Sequence, residues 1–115
     1  MVDQVVFFQR KDHVREQSQH TIEVTFRDRA TIANVTPTNI RYRIDDLASG
    51  AVILDWTAVS ADDEITLTIT PTQNALQSQC SREEVRQVSV AADYGLSTQF
   101  IDSITYEVEN VAGVT

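Results

Sequence analysis

At 115 residues, 42% hydrophobic and 23% charged, the chain has the size and composition of one globular domain with a single hydrophobic core. Its longest unbroken apolar run is Val5-Val6-Phe7-Phe8, far short of the roughly 20 residues of a membrane-spanning helix. The start also lacks a signal peptide's charged and long apolar regions, so a cytosolic origin and no membrane partner are expected. Net charge is −8: residues 1–43 carry seven basic and five acidic side chains, whereas residues 44–115 carry Arg82 and Arg86 against twelve acids. A nucleic-acid binder needs a basic stripe to displace phosphate counterions, so no nucleic-acid partner is expected. Cys80 is the only cysteine, which excludes an intrachain disulfide and suits a reducing compartment.

Taken in chain order, the first twenty residues stand apart. Val5–Phe8 is β-prone and continuously apolar, and Gln9–His20 is polar with mixed charge. A bare strand of this kind invites aggregation. Either its own sandwich covers it as an edge strand, or it is an arm that docks on a partner. The expected division is 1–20 as arm or edge strand and 21–115 as the domain proper. Val5, Val6, Phe7 and Phe8 are the candidate interaction residues, with residues 2–9 expected to pair with a neighbouring subunit or with the surface of another partner protein.

Period-2 alternation then dominates. Ile22, Val24 and Phe26 share one face of a strand, as do Ile40, Tyr42 and Ile44, then Ile65, Leu67 and Ile69. Val88, Val90, Ala92 and Tyr94 repeat the pattern, followed by Ile104, Tyr106 and Val108. Val52–Trp56 adds a sixth strand, and Ala30–Thr36 is a candidate seventh. The expected inward set is Ile22, Val24, Phe26, Tyr42, Ile44, Leu67, Val90 and Tyr106, with Trp56 and Tyr94 as core aromatics. Asp45–Gly50 and Ser60–Asp63 supply turns, and Gly50 can take a positive φ. Pro71–Glu84 is the one helix-like piece, with a weak capping pattern at Ser81–Glu84. The fold class expected is all-β, an immunoglobulin-like antiparallel β-sandwich of about seven strands with one short helical crossover.

No constellation points to catalysis or a cofactor. His13 and His20 lack a third ligand at metal spacing and read as surface residues. Cys80 lies far along the sequence from either histidine that could activate it. Asp45-Asp46 and Asp62-Asp63-Glu64 are the best acid clusters, but consecutive turn acids usually serve solvation rather than calcium. Gly50, Gly95 and Gly113 stand alone, so neither a phosphate-binding loop nor a nucleophile elbow is present. Catalytic, cofactor and metal residues are therefore expected to be none.

The stretch Pro37–Gly50 (PTNIRYRIDDLASG), continuing through Val52–Thr57 (VILDWT), resembles small immunoglobulin-like proteins of tailed bacteriophages. So do Glu64–Asn74 (EITLTITPTQN), Arg86–Gly95 (RQVSVAADYG) and Tyr106–Val111 (YEVENV). The resemblance runs in order over residues 21–113. It implies a non-enzymatic virion protein made in the bacterial host cytoplasm: a capsid decoration (cement) protein, or a head–tail connector or tail component. Its partners would be capsid, connector or tail proteins, in a multi-copy assembly. A carbohydrate- or receptor-binding module is the alternative that the same sandwich allows.

Overall fold

The structure is a computed structural model that describes residues 4–9, 13–28, 31, 33–77, 82–94 and 98–110. Its strands are β1 (Gln4–Gln9), β2 (His13–Arg15), β3 (His20–Asp28), β4 (Asn39–Asp46), β5 (Val52–Val59), β6 (Glu64–Ile69), β7 (Glu83–Tyr94) and β8 (Thr98–Glu109). One sheet has the order β1-β3-β6 and the other β2-β8-β7-β4-β5. In chain order this is the immunoglobulin arrangement of A, B and E against G, F, C and C′, with the first strand divided between the two sheets. The molecule is an all-β sandwich.

Alternation produces the core. The inward rows of β3 (Ile22, Val24, Phe26) and β6 (Leu67, Ile69) face those of β4 (Ile40, Tyr42, Ile44) and β7 (Val88, Val90, Ala92) in one buried cluster. All eight residues expected inward are buried. Fully burying an aliphatic side chain is worth roughly 1.5–3 kcal/mol, so this register is strongly specified: slipping a strand by one residue would exchange Ile22, Val24 and Phe26 for Thr21, Glu23 and Thr25.

Several expectations are corrected. No helix forms among the described residues: Pro71–Ala75 makes a single hydrogen-bonded turn, in which Asn74 N–H reaches the Thr70 and Pro71 carbonyls at 3.2 Å each. Thr, Pro and Asn are poor helix formers, and the Asn74 side chain is engaged elsewhere. Ser81, and with it the capping pattern, lies outside the described residues. The sandwich is not wholly antiparallel, because β2 runs parallel to β8. Ala30–Thr36 gives no strand among its described residues, only an isolated bridge from Asn34 to Arg27. The other strands come from the N-terminal segment. Val5–Phe8 lies in β1, whose backbone pairs with β3 of its own chain, Val6 opposite Phe26 and Phe8 opposite Val24. A free arm is therefore replaced by an edge strand.

Candidate functional site: the outer face of the five-stranded sheet

The outward row of β4 is Arg41, Arg43 and Asp45, opposite the core row that makes this strand half-buried. On β5 the ladder to β4 shifts register twice, between Tyr42 and Ile44 and again between Ile44 and Asp45. Each shift is a bulge that re-aims a side chain. Leu54 stays opposite Ile44 on the core side, while Trp56 turns outward and is 40% exposed. The expectation that Trp56 is a core aromatic is overturned for that reason: simple alternation puts Val52, Leu54 and Trp56 on one face, and the bulges break it. Tyr94, by contrast, packs against the core as a partly buried residue, and burial pushes its phenol up to about 12.

Trp56 is held in a charged frame. The Arg41 and Arg43 guanidinium carbons lie 5.6 and 5.7 Å from its ring centroid, within cation–π range. Arg43 forks onto Asp45, donating from Nε at 2.9 Å and from Nη2 at 2.7 Å, and lies 3.9 Å from Asp55. The hydrogen bond to Asp45 is the main reason its pKa is raised. Arg41 reaches Asp93 at 3.4 Å. Each cation is thus positioned by an acid, with the two guanidiniums standing among Asp45, Asp55 and Asp93. Across the same face, Ala91 is fully buried, Gln87 donates to Ser103 Oγ at 3.1 Å, and Ile101 is 57% exposed. Aromatic, guanidinium and apolar groups together on one outward sheet face are the ingredients of protein–protein contact. The signal available in the sequence was the Arg-Tyr-Arg alternation at 41–43, whose arginines had to leave the core face.

A second cluster closes one end of the sandwich and is internal. Arg86 is fully buried, with Nε 3.2 Å from Asp46 Oδ1 and Nη2 donating to Glu84 Oε1 at 2.7 Å and to the Ala75 carbonyl at 3.0 Å. The Asp46 contact is close but not aligned as a hydrogen bond, so its attraction is mainly coulombic. Asp46 also accepts from Ser49 N–H and Oγ, which ties Arg86 to the β4–β5 turn where Gly50 has φ +74°. Beside it, buried Asn74 donates to the Ser18 carbonyl at 2.7 Å, pairs with His20 Nδ1 at 2.9 Å and accepts from Tyr106 Oη at 2.8 Å. The Ser18 carbonyl can only accept, which fixes the amide orientation and makes His20 Nδ1 an acceptor. Burial pushes the Tyr106 phenol up to about 12, partly offset by Arg86. His20 and Asp46 are therefore interior groups, which corrects their reading as a surface histidine and a solvating acid.

Of the remaining candidates, His13 enters β2 through its backbone opposite Glu107. Cys80, Gly95 and Gly113 lie outside the described residues. Asp63 accepts from Asn34 Nδ2 at 3.0 Å. Among the described residues, no three His, Cys, Asp or Glu side chains converge as a metal site, and no helix is long and apolar enough to cross a membrane.

No family model matches the chain, and no curated protein matches it. Among solved structures, the chain is similar to the periplasmic chaperone SfaE, with 20% identity and a TM-score of 0.62, over 96% of this chain and 60% of that one. The chain thus spans less than two thirds of the chaperone. Looser likenesses are to the CARDB domain of the PF1109 protein of Pyrococcus furiosus (13% identity, TM-score 0.49, 96% of this chain and 89% of that one) and to a cohesin module from a Clostridium perfringens family 33 glycoside hydrolase (11%, 0.47, 96% and 99%). The chaperone likeness supports the sandwich fold and nothing finer.

Proposed function

We propose that the chain is a non-enzymatic structural protein of a bacteriophage virion, a capsid decoration protein or a head–tail connector or tail component, that works through protein–protein contacts. The observation that carries the contact role is Trp56, a large aromatic left outward and clamped by Arg41 and Arg43. Trp and Arg are the side chains most enriched among residues that dominate interface energies. The virion assignment rests on the resemblance of residues 21–113 to small phage proteins. The protein would be made in the host cytoplasm and joined in many copies to capsid, connector or tail subunits. Mass spectrometry of purified particles should find the chain at a fixed stoichiometry. Trp56→Ala, which changes a residue outside the buried core cluster, should lower its incorporation by roughly tenfold or more. Absence from particles would sink the virion assignment, and undiminished incorporation would remove Trp56 from the contact.

An exposed aromatic ring also favours a second reading, a carbohydrate- or receptor-binding module. That reading requires retention of a glycan on an array and its loss in Trp56→Ala.

A further inference from the structure

Edge strands carry a row of unpaired backbone N–H and C=O groups, and proteins usually blunt them. Of the four edge strands among the described residues, β2 is three residues long and β5 is interrupted by two bulges and carries the exposed Asp55. The edge strand β1 lies against β8 of the opposite sheet. Among the described residues, nothing comparable protects β6. It is six residues, Glu64-Ile-Thr-Leu-Thr-Ile69, with no proline, glycine or lysine and no bulge in its ladder to β3. Phe26 N–H donates to the Asp63 carbonyl at 2.9 Å. Antiparallel alternation then aims the backbone groups of Ile65, Leu67 and Ile69 at β3, and those of Glu64, Thr66 and Thr68 away from it. Among the described residues, no strand pairs with that side.

The facing sheet is wider than the one that covers it. With β1 against β8, the strand order sets β3 over β7 and β6 over β4, and leaves no described strand over β5. Burial agrees. Ile40, Ile44, Val88 and Val90 are at most 2% exposed, whereas Ile53, Leu54 and Val59 on β5 and Ile65 on β6 are only partly buried. A one-strand step with an apolar floor therefore runs alongside an open hydrogen-bonding edge.

We propose that this step accepts a strand: an extended segment of a partner protein pairs with the open edge of β6 and lays alternate side chains on Ile53, Leu54 and Val59. The segment is apolar at every second position and carries Lys or Arg beside those residues. Its charge follows from the surroundings, since the edge begins at Asp62-Asp63-Glu64 and residues 44–115 hold twelve acids against two arginines. Main-chain pairing supplies affinity and the floor supplies register, as in strand addition generally. Ile65-Thr66-Leu67-Thr68-Ile69 reads the same in both directions, so a second copy could match it about Leu67. Such a copy would bring its own β4 and β5 into the space that β5 and β4 of this chain occupy, which is why the occupant is a single strand. The site uses the opposite face of β5 from Trp56 and does not depend on the reading above.

Screening the full chain against a displayed library of random peptides tests the proposal. Enriched peptides should alternate apolar residues and carry Lys or Arg. Thr66→Pro removes one outward N–H while sparing the β3 ladder, and should weaken those peptides about tenfold, whereas Trp56→Ala should leave them unchanged. If Thr66→Pro fails to fold by circular dichroism, Thr68→Lys replaces it, because a lysine on the open edge repels a cationic strand. The proposal is overturned if no peptide is enriched, if enriched peptides are acidic, or if they bind the edge variant as well as the parent. It is equally overturned if the parent sediments as a dimer that the edge variant converts to monomer, which would give the edge to a second copy.

Discussion

The middle of the sandwich and its Arg86 end are built from the same strands by different forces. Along the inward row of β7, Val88, Val90 and Ala92 meet Ile22, Val24, Phe26 and Ile44 in an apolar core, but the same row begins with Glu84 and Arg86. On β4 the row Ile40, Tyr42, Ile44 ends at Asp46. The dry region is held by area removed from water, which tolerates repacking if volume is kept. The polar end is held by partners that must all be present, because a buried charge left alone is far more costly than an absent contact. Parity along a strand decides which side chains enter the interior, not what they are.

The largest expected effect is therefore at the polar end. Arg86→Ala strands Asp46 and Glu84, two carboxylates at 1% and 5% exposure, and should destabilise the domain by about 3–5 kcal/mol in urea unfolding. A loss below about 1 kcal/mol would mean that water enters the cavity and solvates both acids, and the end would then be no stiffer than a surface.

In the dry region, Leu67→Ala removes a side chain that is 2% exposed between the sheets and should cost about 2–5 kcal/mol, cavity included. Its neighbour Thr66 is outward on the same strand, and Thr66→Ala should stay within about 0.5 kcal/mol. Equal effects at the two positions would mean that the β3–β6 register is displaced by one residue.

How much of this was legible follows the same division. The apolar rows of β3, β4, β6, β7 and β8 were readable because burial on one face imposes a period of two. Trp56 was misread because a bulge adds a residue without leaving a local mark in the sequence. Asp46, Glu84, Arg86, His20 and Asn74 were not readable as interior groups, since each partner comes from a different element and polarity alone argues for the surface. The turn around Asn74 looked helical because one hydrogen-bonded turn and the start of a helix share their first residues. The edge position of Val5–Phe8 was one of two readings, and only pairing with β3 decides between them.

The smallest expected effect tests how tightly the polar end is closed. Tyr106 is 2% exposed and donates to Asn74 Oδ1. Tyr106→Phe removes that bond and leaves the amide oxygen short of a donor, at about 1–2 kcal/mol near neutral pH. The phenol is pushed up to about 12 in the fold, against about 10 in the unfolded chain. The folded state therefore holds this proton more tightly than the unfolded state. The corresponding stability is complete below pH 10 and is lost as the pH rises from 10 through 12. The parent protein should lose stability across that window while the Phe variant loses less, so the gap between them narrows with rising pH and is constant below it. Tyr94, raised to about the same value, keeps an alkaline slope in both proteins, and Tyr94→Phe in each background isolates the Tyr106 share. A gap that stays constant through pH 12 would show that the Tyr106 phenol ionises in the fold as freely as it does in the unfolded chain, and that solvent reaches the Asn74 cluster.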